Sequence, residues 1–138
     1  MLTCIYGLHS IQTRLPLWDM LKSVGQNIND PWILLGDSNS VLTPEEKYGG
    51  LPVTNREIRD IYDCVASLEL HDTPHVGCYY TWSNNTVRSK IDRVMINGAW
   101  LQHGLDIYTD FLPPGCISDH SLSISSIFRD SRRRNIPF

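Results

Sequence analysis

None of the four cysteines, Cys4, Cys64, Cys78 and Cys116, stands in a C-x-x-C pair, which argues against a zinc knuckle or a thioredoxin-type redox motif. No charged-then-apolar leader precedes Leu2, and no apolar run approaches membrane-spanning length. The chain therefore reads as intracellular and not secreted, with the nucleus a compatible compartment and no membrane as partner. Its cysteines read as reduced, mostly buried thiols. There is no surplus of positive charge either: 12 Lys and Arg face 15 Asp and Glu, a formal net charge of −3. A generic electrostatic DNA binder is basic. Any phosphate handling must then rest on local basic residues and a bound cation. No internal repeat and no second domain is visible.

What is present suits one compact domain: 138 residues, 41% of them hydrophobic. Leu2 to Tyr6 reads as a short strand. Ile11, Leu15, Trp18 and Leu21 recur at helical spacing, predicting an amphipathic helix over residues 11–25, with Pro16 marking its true first turn. The apolar run Trp32 to Leu35, ending in Gly36, suits a central strand buried on both faces. Residues 40–53 read as a loop. Thr54 and Glu57 form a capping box, followed by Ile58, Ile61, Tyr62, Val65 and Leu68 on one helical face. Tyr79 to Trp82 is strand-like, Asn84-Asn85 a turn, and Lys90 to Ile96 the returning strand of a hairpin. A short helix from Gly98 to His103, a strand from Leu105 to Phe111 and a closing strand from Ser121 to Ile127 follow. Residues 129–138 read as a basic tail.

Two motifs carry chemistry. Gly36-Asp37-Ser38-Asn39 ends the apolar strand, and an aspartate two residues before an asparagine on an extended segment points both side chains to one side. Ser118-Asp119-His120 sets a hard oxygen ligand beside a proton carrier. Together they supply a metal ligand, a charge-stabilising cation, a water-orienting base and an amide donor, the equipment for metal-assisted cleavage of a phosphate ester. Plainer readings stand beside this one. Asp37 and Asn39 also serve turns, Asp119 and His120 could satisfy buried hydrogen bonds, and Asp92 could pair with Arg93 or Lys90 at the surface.

The order of segments adds to the motifs: Tyr6, then Gly36 to Asn39, then YYTWSNN from Tyr79, then SKIDRVMINGAW from Ser89, then FLPPGCISDHSLSI from Phe111. This order resembles the endonuclease/exonuclease/phosphatase superfamily, whose fold is similar to that of DNase I and the abasic-site endonucleases. More closely it resembles the endonuclease domain that opens the polyprotein of plant-type non-LTR (LINE) retrotransposons. The resemblance runs from Tyr6 to Ile127. It implies an α/β fold, the C-terminal half of a DNase I-like four-layer α/β/β/α sandwich with mostly antiparallel and mixed sheets. It implies a Mg²⁺- or Mn²⁺-dependent DNA phosphodiesterase, with DNA as partner. Asp37 would orient or deprotonate the attacking water, and Asn39 and Tyr6 would donate to the phosphate. Asp119 would bind the metal. His120 would stabilise phosphoryl charge, with Asp92 lying against it to fix its tautomer. Thr81 and Ser118 would be secondary phosphate or network contacts. These residues are expected to converge at one edge of the sheet.

Two departures qualify the resemblance. The family motif carries an apolar residue at the position of Ser38, which is expected to face packing and weaken the core. Family members also carry a further half-domain before the position of Met1, with an Asn motif and a metal-binding Glu. Glu45 and Glu46 lie in the wrong place to replace that glutamate. The expectation is a partial domain over 1–128 and the start of a linker over 129–138, inactive or weakly active, with a weakly held cation and an exposed half-domain face prone to association. The alternative is a catalytically dead remnant serving at most as a nucleic-acid- or protein-binding module. An enzyme of the same superfamily acting on a phospholipid or inositol phosphate is disfavoured by the Tyr-Thr-Trp and Ser-Lys-Ile-Asp-Arg runs.

Overall fold

The computed structural model describes residues 1–129. Its first strand, β1 (Leu2–Tyr6), runs parallel to β2 (Ile33–Asp37), and α1 (Ile11–Gly25) crosses between them. β2 is central, because β8 (Asp92–Ile96) pairs antiparallel on its other side and β4 (His71–Asp72) lies beyond, giving the order β1-β2-β8-β4. A second sheet has the order β10-β9-β5, from Ser123–Arg129, Leu105–Phe111 and His75–Gly77. A third, small sheet joins β3 (Lys47–Tyr48), β7 (Arg88–Ser89) and β6 (Trp82–Ser83).

Alternation along β2 and β8 explains the layers. Leu34 and Met95 face α1 and α2 (Asn55–Ser67), where Trp18, Leu21, Ile61 and Cys64 close a core with Trp32 and Leu70. Ile33, Val94 and Ile96 face the opposite way and pack on Ile107 and Phe111 of β9, with Trp100 of the short helix α3 (Ala99–Gln102). Among the described residues this gives a helix pair, a mixed four-stranded sheet and a three-stranded sheet, stacked in that order. No helix among them is long and apolar enough to cross a membrane.

Several local expectations change. α1 begins at Ile11, capped by Ser10, whose Oγ accepts from the Thr13 amide at 3.2 Å. Pro16 therefore sits inside the helix instead of opening it. The 40–53 loop contains a 3-10 turn, Pro44–Glu46, and β3. The expected Tyr79–Trp82 strand shrinks to β6, and its hairpin partner is β7. Lys90 and Ile91 carry the chain out of that hairpin so that β8 enters the main sheet. β4 and β5 are too short to leave an alternation in the sequence. The closing strand is shifted to Ser123–Arg129, so Arg129 belongs to β10, and the rest of the expected tail lies outside the described residues. Only Cys64 is buried. Cys4 and Cys116 are exposed and Cys78 is half-buried.

Helix α2 has the amphipathic form its sequence indicates, with Glu57 accepting from the Thr54 amide at 2.7 Å at its start. Tyr62, however, is 58% exposed, whereas Ile61 is 2% exposed. Ile61→Ala is expected to cost about 2–5 kcal/mol, as large-to-small core changes do, while Tyr62→Ala stays within about 0.5 kcal/mol. Urea unfolding of the two variants checks this contrast between adjacent residues.

Candidate active site

The site begins as the end of a strand register. Tyr6 of β1 lies opposite Asp37 of β2, and Asp37 lies opposite Asp92 of β8. Cross-strand neighbours share a face. Hence the apolar rows formed by Ile33 with Ile96 and by Leu35 with Val94 end in a pair of carboxylates. Gly36 makes the close approach possible. Its φ is +136°, and a Cβ there would stand 2.1 Å from the Ile5 carbonyl oxygen.

Beyond Asp37 the chain turns sharply, and Asn39 takes φ +50°. The Asp37 carboxylate accepts from the Asn39 amide at 2.7 Å and from its Nδ2 at 3.2 Å. The two side chains are therefore brought together by an Asx-type turn, not by strand alternation as the sequence suggested. The Asn39 Nδ2 also donates to the Gly7 carbonyl at 2.9 Å, tying the motif to the end of β1. Ser38 is buried, but its hydroxyl is satisfied by the Ile91 carbonyl at 2.7 Å and the Ser40 carbonyl at 2.8 Å. Ser38 therefore leaves no unsatisfied hydroxyl in the core, although it borders a small cavity lined by Trp18, Leu21 and Leu34.

His120 arrives from the far end of the chain. It bridges to Trp82 in the backbone, and the Ser121 amide donates to the Thr81 carbonyl at 2.7 Å. Its Nδ1 lies 2.9 Å from Asp92 Oδ2. Ser118 Oγ accepts from the His120 amide at 3.1 Å, a network contact within the turn. Thr81 is fully buried, and its Oγ1 accepts from the amides of Ile91 and Asp92 at 3.1 and 2.9 Å. A phosphate cannot reach it. Thr81 fixes the entry of β8 and with it the position of Asp92.

These residues open onto a cleft of about 420 Å³ lined by Tyr6, Asp37, Asn39, Trp82, Asp119 and His120 among others. Asp37, Asp92 and His120 each offer a potential ligand atom within 4.8 Å of the others. Asp119, also at the cleft, stands outside that triplet, and its Oδ2 accepts from the Trp82 indole N–H at 2.7 Å. Within the triplet the His120 Nδ1 and the Asp92 carboxylate are engaged with each other. Asp37 holds Asn39. Asp119 is an exposed residue, and its Oδ1 takes no hydrogen bond from another residue among those described. An oxygen-rich donor set of this kind fits a hard divalent cation.

Electrostatics divides the roles. Burial and the facing Asp92 raise the Asp37 carboxyl above the ordinary range, against the opposing pull of the Asn39 amide. Burial disfavours the charged His120 imidazole. The hydrogen bond that His120 donates to Asp92 and the charges of Asp92, Asp37 and Asp119 outweigh it, and the pKa rises. The Trp82 hydrogen bond lowers the Asp119 carboxyl.

Arg14 and His9 are among the cleft residues that the motifs do not indicate. Arg14 is 6% exposed and donates to the carbonyls of Leu8 and His9 at 3.1 and 2.9 Å, stiffening the loop after β1 on which His9 faces the cleft. A charged residue at 14, on the same helical face as Trp18 and Leu21, was the available signal.

Comparison with known proteins agrees with this fold. The 3'-5' exonuclease (NExo) from Neisseria meningitidis superposes with a TM-score of 0.66 at 18% identity, over 92% of this chain and 60% of that one. The 3' phosphatase NExo from Neisseria bound to a product DNA hairpin gives the same TM-score at 17% identity and the same coverage. The chain thus spans about 60% of the length of these structures, and shares their DNase I-like mixed α/β fold. No curated protein sequence matches it. The model of the Endonuclease/Exonuclease/phosphatase family matches residues 3–120, and the chain belongs to that family.

Proposed function

We propose that this chain is part of a divalent-metal-dependent nuclease that hydrolyses DNA phosphodiesters, of the retrotransposon endonuclease type. The observation that carries the reading is the meeting of Asp37, Asp92 and His120, from three distant segments, at the mouth of one cleft beside Asp119. NExo is a 3'-5' exonuclease and 3' phosphatase seen with a DNA hairpin, which supports DNA as the substrate class. In this reading residues 1–129 form part of a catalytic domain.

Asp37, as carboxylate, takes the proton of the attacking water, while Asn39 holds Asp37 and aligns the nucleophile. His120, charged through Asp92, neutralises the phosphoryl oxygens, and Tyr6, 64% exposed beside Asp37, donates to the phosphate. Asp119 would hold Mg²⁺ or Mn²⁺, which when bound offsets negative charge on the phosphate and lowers the barrier to attack. With one free carboxylate oxygen among the described site residues, the cation is held weakly and turnover is slow. The test is nicking of supercoiled plasmid with and without Mg²⁺. Activity on an inositol phosphate or phospholipid but not on DNA would overturn the substrate assignment.

A pH profile follows from the two raised pKa values. Hydrolysis needs Asp37 ionised and His120 charged. The rate should fall on the acid side as Asp37 takes up its proton, and on the alkaline side as His120 loses its own. The Asp92–His120 pair stabilises the fold at low pH, and that contribution fades as pH rises through the raised imidazole pKa. An alkaline limb that stays in place in Asp92→Asn would overturn the pairing role.

A second reading, a binding module without catalysis, draws on β10. This edge strand leaves Ile124, Ile127 and Phe128 49–58% exposed. An unpaired apolar edge favours association with another chain. Metal-independent DNA retention without hydrolysis would support it.

A further inference from the structure

We infer that Trp82 is a positioning residue for Asp119: its indole N–H fixes one carboxylate oxygen and leaves the other as the atom offered to a divalent cation. The inference rests on the reading of Asp119 as the cation's ligand. Asp119 follows the exposed loop Pro113–Ser118, and its own side chain is exposed. A carboxylate in that setting samples several rotamers, and ordering it costs conformational entropy. The structure removes that freedom in two stages.

The backbone is fixed first. The Ser83 amide donates to the Asp119 carbonyl at 3.2 Å, Trp82 bridges to His120, and the Ser121 amide donates to the Thr81 carbonyl at 2.7 Å. Residues 119–121 are thereby laid against 81–83 as a short antiparallel ladder. The side chain is fixed second, by the 2.7 Å bond from Trp82 Nε1 to Asp119 Oδ2. Indole is a donor only, so it can hold a carboxylate without competing for a cation. Oδ1 takes no hydrogen bond from another of the described residues, and both side chains belong to residues that line the cleft. The same bond favours the ionised carboxylate, the form a cation requires. Hydrogen-bonded partners of metal-binding carboxylates commonly carry a large share of the affinity.

The other tryptophans serve as internal controls. Trp32 donates to Thr3 Oγ1 at 2.9 Å, Trp18 packs in the helix-side core, and the Trp100 indole is buried between the sheets. None of them lines the cleft.

The experiment uses Mn²⁺ and ¹⁵N-labelled chain. In the wild type, Mn²⁺ should broaden the indole N–H resonance of Trp82 and spare those of Trp18, Trp32 and Trp100. Trp82→Phe keeps the ring and removes the donor. Free-Mn²⁺ signals in electron paramagnetic resonance should then show affinity lowered by about 10–100-fold. The backbone amide shifts of Thr81, Ser83 and Ser121 should stay close to their wild-type values, because the ladder is held by backbone hydrogen bonds and not by the indole donor. Asp119→Asn should lose the binding outright. Wild-type affinity in Trp82→Phe, together with loss in Asp119→Asn, would overturn the role of Trp82 and leave the cation site standing. Unchanged binding in Asp119→Asn, or no selective broadening of Trp82 at millimolar Mn²⁺, would overturn the cation reading itself and the inference with it. Large amide shift changes across residues 81–83 and 119–121 in Trp82→Phe would show that the indole merely supports the local fold, and would overturn its positioning role.

Discussion

His120→Ala is expected to lower Mg²⁺-dependent DNA hydrolysis by about 10²–10³-fold, the typical effect of removing one preorganised group that stabilises transition-state charge. Asp37→Ala should match or exceed it, because the same residue supplies the base and organises Asn39 through two hydrogen bonds at 2.7 and 3.2 Å. Combining the two changes should cost less than the product of their separate effects, since residues acting as a unit are not additive. Single-turnover cleavage of a fluorescent duplex is sensitive enough for a slow enzyme. Efficient cleavage by His120→Ala would remove the imidazole from the reaction. Rapid turnover by the unaltered chain, lost in Asp119→Ala, would instead show that a second residue completes the cation site.

The parts of this site that were legible in the sequence are the parts built by short-range chemistry. Asp37, Asn39, Asp119 and His120 sit in short motifs whose residue types state their use, and Tyr6, Asp37 and Asp92 lie at the ends of strands that the apolar runs and alternation mark out. Long-range partners were the difficulty. Nothing near Thr81 in the sequence shows that its hydroxyl will accept two amides ten and eleven residues away. Strands of two residues, such as β3, β4 and β7, carry no periodicity to read. Ser38 looked like a flaw because its acceptor, Ile91, lies 53 residues away. The plainer reading of Asp92, as a surface partner of Arg93 or Lys90, fails because Lys90 and Arg93 turn inward and bind Glu46 and Asp72. Glu46, set aside as misplaced for metal binding, has this structural use instead.

That inward network carries the largest stability effect expected in the molecule. Arg93 is 3% exposed, Lys90 and Glu46 are each 6% exposed, and the four groups come from the 3-10 turn, β4, the β7–β8 link and β8. Arg93 donates to Asp72 Oδ2 at 2.7 Å and to Glu46 Oε2, Lys90 donates to the same Asp72 oxygen at 2.7 Å, and Glu46 Oε2 also accepts from the Leu42 amide at 2.6 Å. Burial alone would raise the Asp72 carboxyl, but Arg93 and Lys90 hold it below the ordinary range. Arg93→Leu leaves a buried carboxylate, Glu46, and a half-buried one, Asp72, facing one ammonium, and removing one partner of a buried ion pair costs about 3–5 kcal/mol. The loss should shrink as pH falls, because Asp72 contributes stability above its unfolded pKa and gives it up as pH drops through the folded value. Replacing all four groups together by apolar residues of similar volume should be far milder, since no charge is then stranded. Urea unfolding at several pH values, with His120 titrated in parallel, separates this from damage to the site. A loss in Arg93→Leu below about 1 kcal/mol would place the network with weak surface pairs, and a shifted His120 pKa would mean that Arg93 also holds Asp92 in place.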